Sequence, residues 1–377
     1  VARAGLAGLA ALLWLAAAAP AAAAGVMPAL PSPSAWGGLP LESLSLPPGF
    51  AVEVYAEAPH ARTLRWGDGV LFVGTREREV YAITTKDRGS RAEKRRVVAR
   101  GLAQPNGLAF HHGALYVATI TKILRYPDIA SRLDDPPEPE LVAELPESDH
   151  HEWRYMGMGP DGYLYVAIGA PCNVCPVEDP FATIIRLRPD GSGREVFARG
   201  IRNSVGLDWR PESGVLWFTN NGRDWMGDTQ PPDSLHRAPR PGLHFGFPFC
   251  HAGVPDPDLN GGRDCARFAP AELKLPAHVA ALGMRFYTGG MFPPEYRGDI
   301  LFCEHGSWNR STPVGYRVVR AKLEGGRVTG KEVFADGWLS GATAWGRPVD
   351  CAVAPDGALL VSDDRAGVIY RIFHRGQ

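Results

Sequence analysis

Six short polar clusters stand out along this chain because each holds groups able to move a proton or grip an anion. They are His60-Ala61-Arg62, Gln104-Pro105-Asn106, Asp149-His150-His151-Glu152-Trp153-Arg154, Arg202-Asn203-Ser204, His278 and Trp345-Gly346-Arg347. Each immediately precedes an apolar strand. Imidazole and guanidinium groups recurring at equivalent points of a repeat imply a polar, cationic pocket with a candidate base, suited to an anionic ligand. His151 is the candidate base, since imidazole accepts a proton near neutral pH, and Asp149 or Glu152 is expected to orient it or raise its pKa. Arg202 beside Asn203 offers a planar fork and an amide, donors that grip carboxylates and quinone oxygens. The run Asn220-Asn221-Gly222-Arg223-Asp224, followed by Asp228 and Asp233, is rich in oxygen ligands and suits calcium, although it is not an EF-hand.

What must position these groups is a repeat. A loop, an apolar strand, a tight turn and a second apolar strand recur at LRWGDGVLFVGTREREVYAI from Leu64, NGLAFHHGALYVATITKILRY from Asn106 and YMGMGPDGYLYVAIG from Tyr155. They recur again at VGLDWRPESGVLWFTN from Val205, GMRFYTGGMFPPEYRGDILFCEHG from Gly283 and VDCAVAPDGALLVSDDRAGVIYRI from Val349. Short strands at a period of roughly 40 to 70 residues predict an all-β, six-bladed β-propeller with four-stranded blades. Fourth strands are expected at VVARGL, LVAELP, EVFARGI and EVFADGW, and the lone strand FAVEVYAE at Phe50 closes the ring by pairing with the third strand of the last blade. Two β-sandwiches would also supply many short strands, but would not keep the loops in phase. That phase places the tight turns on one face of the ring. The polar clusters share the other with the long insertions 170–182, 220–234 and 305–315, and function is expected there.

Residues 1–24 read as a secretory signal peptide, with Ala2-Arg3-Ala4 leading an apolar run and small residues to Ala24, though an uncleaved anchor is the alternative. Residues 25–48 form a Pro-rich linker, and 49–377 the propeller. A net charge of −1 favours neither nucleic acid nor a membrane surface, and no span remains after signal cleavage. Periplasmic or secreted localisation makes disulfides Cys172–Cys175 and Cys250–Cys265 plausible, with Cys303 and Cys351 either free or a third bridge. Zinc would want further Cys or His ligands at short spacing, and covalent haem would want His rather than Pro after Cys175.

The strings HEWRYMGMGPDGYLYVAIG, GIRNSVGLDW, NNGRDWMGDTQPPDSLHR with PGLHFGFPFC, FPPEYRGDILFCEHGSWNRS and GRPVDCAVAPDG occur in that order. Together they resemble the soluble glucose and sorbosone dehydrogenases that use pyrroloquinoline quinone, from about Leu46 to Phe373. The resemblance implies a quinone over the channel with calcium beneath it. It makes His151 the general base, Arg202 and Asn203 the contacts to the quinone oxygens, and the carbonyls of Gly222 and Arg223 the calcium ligands. Arg347 matches a cofactor-binding arginine. Gln104 or Asn106 matches a polar residue beside the substrate, where His150 is a further candidate. Trp153-Arg154 stands where the glucose enzymes have Gly-Arg, Val349 replaces a second late arginine, and a lysine has no counterpart, leaving His305 or Arg310 in its place. These departures point to the sorbosone-like branch. The implied function is oxidation of an aldose or related sugar at its anomeric or aldehyde carbon, with electrons passed to an external cytochrome or quinone. The alternatives are a calcium-dependent sugar lactonase and a non-catalytic binding propeller.

Overall fold

The structure is a computed structural model and describes residue 1 and residues 38–376. The expected signal peptide from residue 2 onward and the first part of the Pro-rich segment lie outside the described residues. From residue 38 the chain belongs to one compact unit, 33–377.

That unit is a six-bladed β-propeller, and no α-helix occurs among the described residues. Blade one comprises Ala61–Gly67, Val70–Thr75, Val80–Lys86 and Arg91–Ala99; blade two, Gly107–His111, Ala114–Ala118, Lys122–Tyr126 and Glu140–Glu144. Blade three runs through Met156–Met158, Leu164–Ile168, Thr183–Leu187 and Glu195–Arg199; blade five through Ala281–Phe286, Ile300–Glu304, Arg317–Glu324 and Arg327–Ala335. In blade six Pro348–Val353, Leu359–Asp363 and Val368–His374 are joined by Phe50–Glu57, which pairs antiparallel with Val368–His374. The ring is closed at its seam as expected, the N-terminal strand completing the last blade as its outermost, fourth strand.

Blade four departs from the sequence expectation. Its strands Leu207–Trp209, Leu216–Asn220 and Ser234–Ala238 are followed by a fourth, Leu273–Lys274, of only two residues. Between them the chain makes an excursion in which Leu243–His244 adds to blade three as a parallel fifth strand and Cys250–His251 pairs with Val254–Pro255. Two-residue strands carry no readable period, which is why this outer edge was missed.

Second strands sit between neighbouring blades and are buried on both sides, so VLFVGT, ALYVA, LYVAI and ILFCE show no exposed residue to break their apolar run. Each junction between blades has its own apolar cluster, such as Val70, Phe72, Leu115 and Val117 between blades one and two. Phe72, Phe218 and Phe302 are fully buried, and each contributes on the order of 1.5–3 kcal/mol. Adjacent inner strands approach so closely that a Cβ on Gly107 would collide with the Arg154 carbonyl, and one on Gly206 with that of Leu282. Carboxylates also stitch the blades: Asp208 accepts the Phe286 amide and Asp350 the Leu64 amide, both at 2.9 Å.

The described end of the Pro-rich segment is docked rather than free. Ser45 bridges to Asp336, and Leu39, Leu41, Leu44 and Leu46 pack on the core between blades five and six. Leucines at that spacing bury apolar surface that an exposed linker would leave in water. Disulfides Cys172–Cys175 and Cys250–Cys265 are both formed. Cys303 and Cys351 are buried thiols with Sγ atoms 3.2 Å apart.

Candidate active site

A cavity of about 320 Å³ opens on the face that carries the long insertions, a volume within the range of small-molecule sites. His150 and His151 come from the loop before blade three, Asn173 from that blade's insertion, and Arg202 and Asn203 from the loop before blade four. Blade four's insertion adds Asn221, Gly222, Asp224, Trp225 and Asp233, and blade five adds His278, Trp308 and Asn309. Loops entering inner strands and loops between second and third strands therefore do meet on one face.

His151 is held by its backbone and by one ring nitrogen. Its Nδ1 lies 2.7 Å from the Ala170 carbonyl, an acceptor, so Nδ1 carries the hydrogen and Nε2, which has no protein partner, is left as a lone-pair base. Gly169 leaves room for it, since a Cβ there would strike His151. Beneath, the fully buried Arg154 donates to the carbonyls of His151, Pro146 and Ile120, fixing the loop from the inside. Burial, and then the charge of Arg202, push the His151 imidazolium down to about 3. This corrects the expectation of an acidic partner. Asp149 is exposed and lies 3.4 Å from His150 instead, while the charge of Glu152 acts on Arg154. A carbonyl orients the ring, and desolvation lowers rather than raises its pKa.

Arg202 is buried and almost saturated by protein contacts. Nε donates to the Asn173 carbonyl at 2.8 Å, and Nη1 donates to the Gly222 carbonyl at 2.7 Å. Nη2 donates to Asn173 Oδ1 at 2.8 Å and Asp224 Oδ2 at 2.9 Å. One Nη1 hydrogen is left for a ligand. Burial pulls the guanidinium below its ordinary pKa, with Asp224 opposing. Asn203 is tied through its backbone N–H to Asn220, while its Oδ1 is buried without a partner, as is Oδ1 of Asn309. Asp233 accepts the backbone N–H groups of Gly222 and Ala280, each at 2.8 Å, and burial pushes its carboxyl up to about 7.

The remaining sequence candidates lie outside this lining. Arg223 follows Gly222, but its side chain turns away to Asp256 at 2.6 Å and Asp258 at 3.1 Å. Arg310 donates to the Ala277 carbonyl. His305, Arg347, Asn106 and Gln104 belong to the opposite arc of the mouth. There Asp364 is paired with His305 at 2.8 Å, Arg62 at 3.0 Å and Arg76 at 3.7 Å. Arg347 donates to the carbonyls of His305 and Gly306, and Arg62 donates to Asn106 Oδ1 and stacks on Trp153. Gln104 Oε1 and Asn106 Nδ2 are buried without partners.

Asn173, Trp225, Trp308 and Asn309 were not singled out from sequence. Trp225 and Trp308 are exposed, meet edge to face with centroids 5.5 Å apart, and stand at the rim. Asn309 Nδ2 donates to Asp224 Oδ1 at 2.6 Å, coupling the loops that carry them. In the structure, two large apolar rings left in water beside a cavity mark the rim as a binding surface.

Fold and cavity together define a propeller with a single-face polar site. A model of the family described as a domain of unknown function (DUF7133) matches residues 40–371, and the chain belongs to that family. An uncharacterized protein of Borreliella burgdorferi is 33% identical over 353 residues, spanning 88% of this chain and 91% of its own. Among solved structures, a Trichoderma reesei protein of Carbohydrate-Active Enzymes Family AA12 superposes with TM-score 0.76 at 20% identity, over 88% of this chain and 97% of that one. The holo form of the pyranose dehydrogenase PQQ domain of Coprinopsis cinerea gives 0.72 at 19%, over 88% and 97%. The soluble aldose sugar dehydrogenase of Escherichia coli, in its apo form, gives 0.64 at 17%, over 86% and 100%. At these identities the likeness is one of fold.

Proposed function

We propose that this protein is a quinoprotein sugar dehydrogenase acting on the anomeric or aldehyde carbon of an aldose or a related sugar. The observation that carries the proposal is His151: a neutral imidazole with a free Nε2 on the wall of a cavity, beside a buried arginine. The orphaned Oδ1 atoms of Asn203 and Asn309, the spare Nη1 hydrogen of Arg202 and the rim tryptophans fit a flat, polar ligand such as pyrroloquinoline quinone. Among the described residues no group of three or more His, Cys, Asp or Glu converges on a metal position. A calcium ion would therefore rely on oxygens like the Gly222 and Arg223 carbonyls, which suits its chemistry. The named partners of similar fold, a PQQ domain and a T. reesei calcium structure, support both assignments.

When bound, the quinone supplies a two-electron hydride acceptor and calcium a Lewis acid. His151 Nε2 is proposed to take the proton of the substrate hydroxyl, and desolvation of the imidazolium keeps that nitrogen unprotonated. Arg202 through its spare Nη1 hydrogen and Asn203 through Nδ2 orient and stabilise oxygen atoms gaining negative charge, while Asn203 Oδ1 is left to accept from a ligand N–H or O–H. On the far arc, Gln104 and Asn106 carry the unpaired groups proposed to meet sugar hydroxyls, and Arg347 is proposed as a cationic contact to the cofactor, joined by a neutral His305 or, from blade five, by Arg310. A reduced cofactor there would need an external electron acceptor, a cytochrome or a quinone. We propose export to the periplasm or beyond, which the two disulfides favour.

The test is reconstitution of the purified protein with pyrroloquinoline quinone and calcium, followed by a panel of aldoses with an artificial dye. Dye reduction together with a sugar-dependent change in the quinone spectrum is expected. Lactone hydrolysis without quinone, or binding with neither reaction, would replace the proposal with a lactonase or a binding propeller.

A further inference from the structure

Asn173 is the residue on which the site's internal bonding converges. Its carbonyl and its Oδ1 each accept from Arg202, Oδ1 also accepts the backbone N–H of Asp224 at 2.8 Å, and Nδ2 donates to the Asp224 carbonyl at 3.1 Å. It thus supplies two of the four hydrogen bonds that hold the Arg202 guanidinium and ties blade three's insertion to that of blade four. Asn173 lies inside the four-residue loop closed by the Cys172–Cys175 disulfide. The loop's apolar seat is small, with Cys172, Val174 and Val177 packed against Ala170, Ala182 and Phe247. Both cysteines are half-buried, within reach of solvent. A short polar loop without a cross-link would lose its single conformation readily, because the unlinked chain gains backbone freedom.

We infer that the Cys172–Cys175 disulfide is a lock on the candidate active site: it fixes Asn173, a positioning residue, which in turn fixes Arg202 and Asp224. The consequence for turnover rests on the proposed role of Arg202; the mechanical lock does not. Unlocking by a dithiol is balanced, since the S–S bond breaks to two thiols as the reductant closes to its own disulfide. Because a dithiol would also reach Cys250–Cys265, substitution is the cleaner tool.

The experiment measures amide hydrogen exchange on the cofactor-free protein for wild type, the double variant Cys172→Ser/Cys175→Ser, Asn173→Ala and Asn173→Asp. Loss of one hydrogen bond predicts exchange about five- to tenfold faster at Asp224 in the double variant and in Asn173→Ala. Asn173→Asp keeps the acceptor for the Asp224 amide but replaces the Nδ2 donor with an oxygen facing the Asp224 carbonyl, so exchange there should fall between wild type and Asn173→Ala. Strand Leu164–Ile168 serves as the internal control and should be unchanged throughout. After reconstitution, kcat should fall about 10- to 100-fold in the first two variants, with partial rescue in Asn173→Asp. Unchanged exchange at Asp224 in the double variant overturns the lock. Exchange that rises equally in Leu164–Ile168 overturns it as well, by showing that the disulfide holds the blade rather than the site. Faster exchange confined to 220–226, in a protein that takes up no quinone, supports the lock and removes the proposed function.

Discussion

The two arcs of the propeller mouth are built from the same residue types and use them in opposite ways. On the arc of blades three to five, Arg202 and Asp224 pair one to one, and polar groups face an open cavity with bonding capacity to spare: His151 Nε2, one Arg202 hydrogen and the Oδ1 atoms of Asn203 and Asn309. On the arc of blades six, one and two, Arg62, Arg76 and His305 converge on the single carboxylate of Asp364. Burial alone would raise the Asp364 pKa, yet the pull of His305, Arg62 and Arg76 holds it far below the ordinary carboxylate range. One arc is arranged to be completed by a ligand, whereas the other has neutralised its own charges and keeps only the Gln104 Oε1 and Asn106 Nδ2 atoms unpaired. Counting cationic residues cannot tell these apart; what separates them is where the counter-charge sits.

The largest expected effect tests the open arc. His151→Ala should lower kcat by about two to four orders of magnitude while leaving quinone uptake nearly intact. His150→Ala should leave kcat near wild type and at most raise KM, because His150 is exposed, its ring partner is Asp149, and it meets the cavity only at its lining. A reversal of these two results would erase the assignment of the base. The corresponding break on the closed arc is in stability rather than turnover. Asp364→Ala leaves buried cations without their counter-charge and should cost about 3–5 kcal/mol, read by denaturant unfolding. Asp224→Ala, whose carboxylate is partly exposed, should cost less.

The fold was legible because six copies of one phrase carry their own register, and because each blade is a local unit with its own apolar junction. The two histidines, Arg202, Asn203 and Gly222 were legible for the same reason, since they occupy one structural position, or its companion loop, in successive blades. Asn173, Asn309 and the tryptophans were not. They lie within insertions, where the repeat gives no register, and their importance comes from pairings such as Asp224 with Asn309, 85 residues apart. The orientation of His151 was misread because a backbone carbonyl is invisible as a residue type. Two adjacent acids, Asp149 and Glu152, looked like the natural partners, yet the loop turns both elsewhere.

A more modest effect is expected from paired arginine variants. Arg202→Ala should weaken quinone retention and turnover together, by about 10- to 100-fold, because its fork is proposed to contact the cofactor. Arg347→Ala loses bonds to the His305 and Gly306 carbonyls. If Arg347 also contacts the quinone, as the sequence resemblance implies, retention should fall there too, measured by gel filtration of the reconstituted protein. Retention that depends on Arg202 alone would confine the cofactor to the open arc.

The smallest effect is one of pH, and its sign follows from burial. His151 titrates at about 3 in the folded protein against an ordinary value near 6.5. Its base form therefore persists far below neutrality, and the acid limb of kcat/KM should lie nearer pH 3 to 4 than 6.5 if His151 is the base. For stability, His151, with His236 and His305 at about 4, contributes fully above 6.5 and loses that contribution as pH falls through the folded values. Asp233 at about 7 and Asp363 at about 6 act in the other direction: the folded protein holds their protons more tightly, so their stabilisation is lost as pH rises through 6 to 7. Opposed contributions predict a shallow stability profile between pH 5 and 7 beside an activity profile flat over the same interval. An activity limb at 6.5 would mean that the imidazole is solvated in solution, and the open arc would then lack the dry base on which the proposed proton transfer depends.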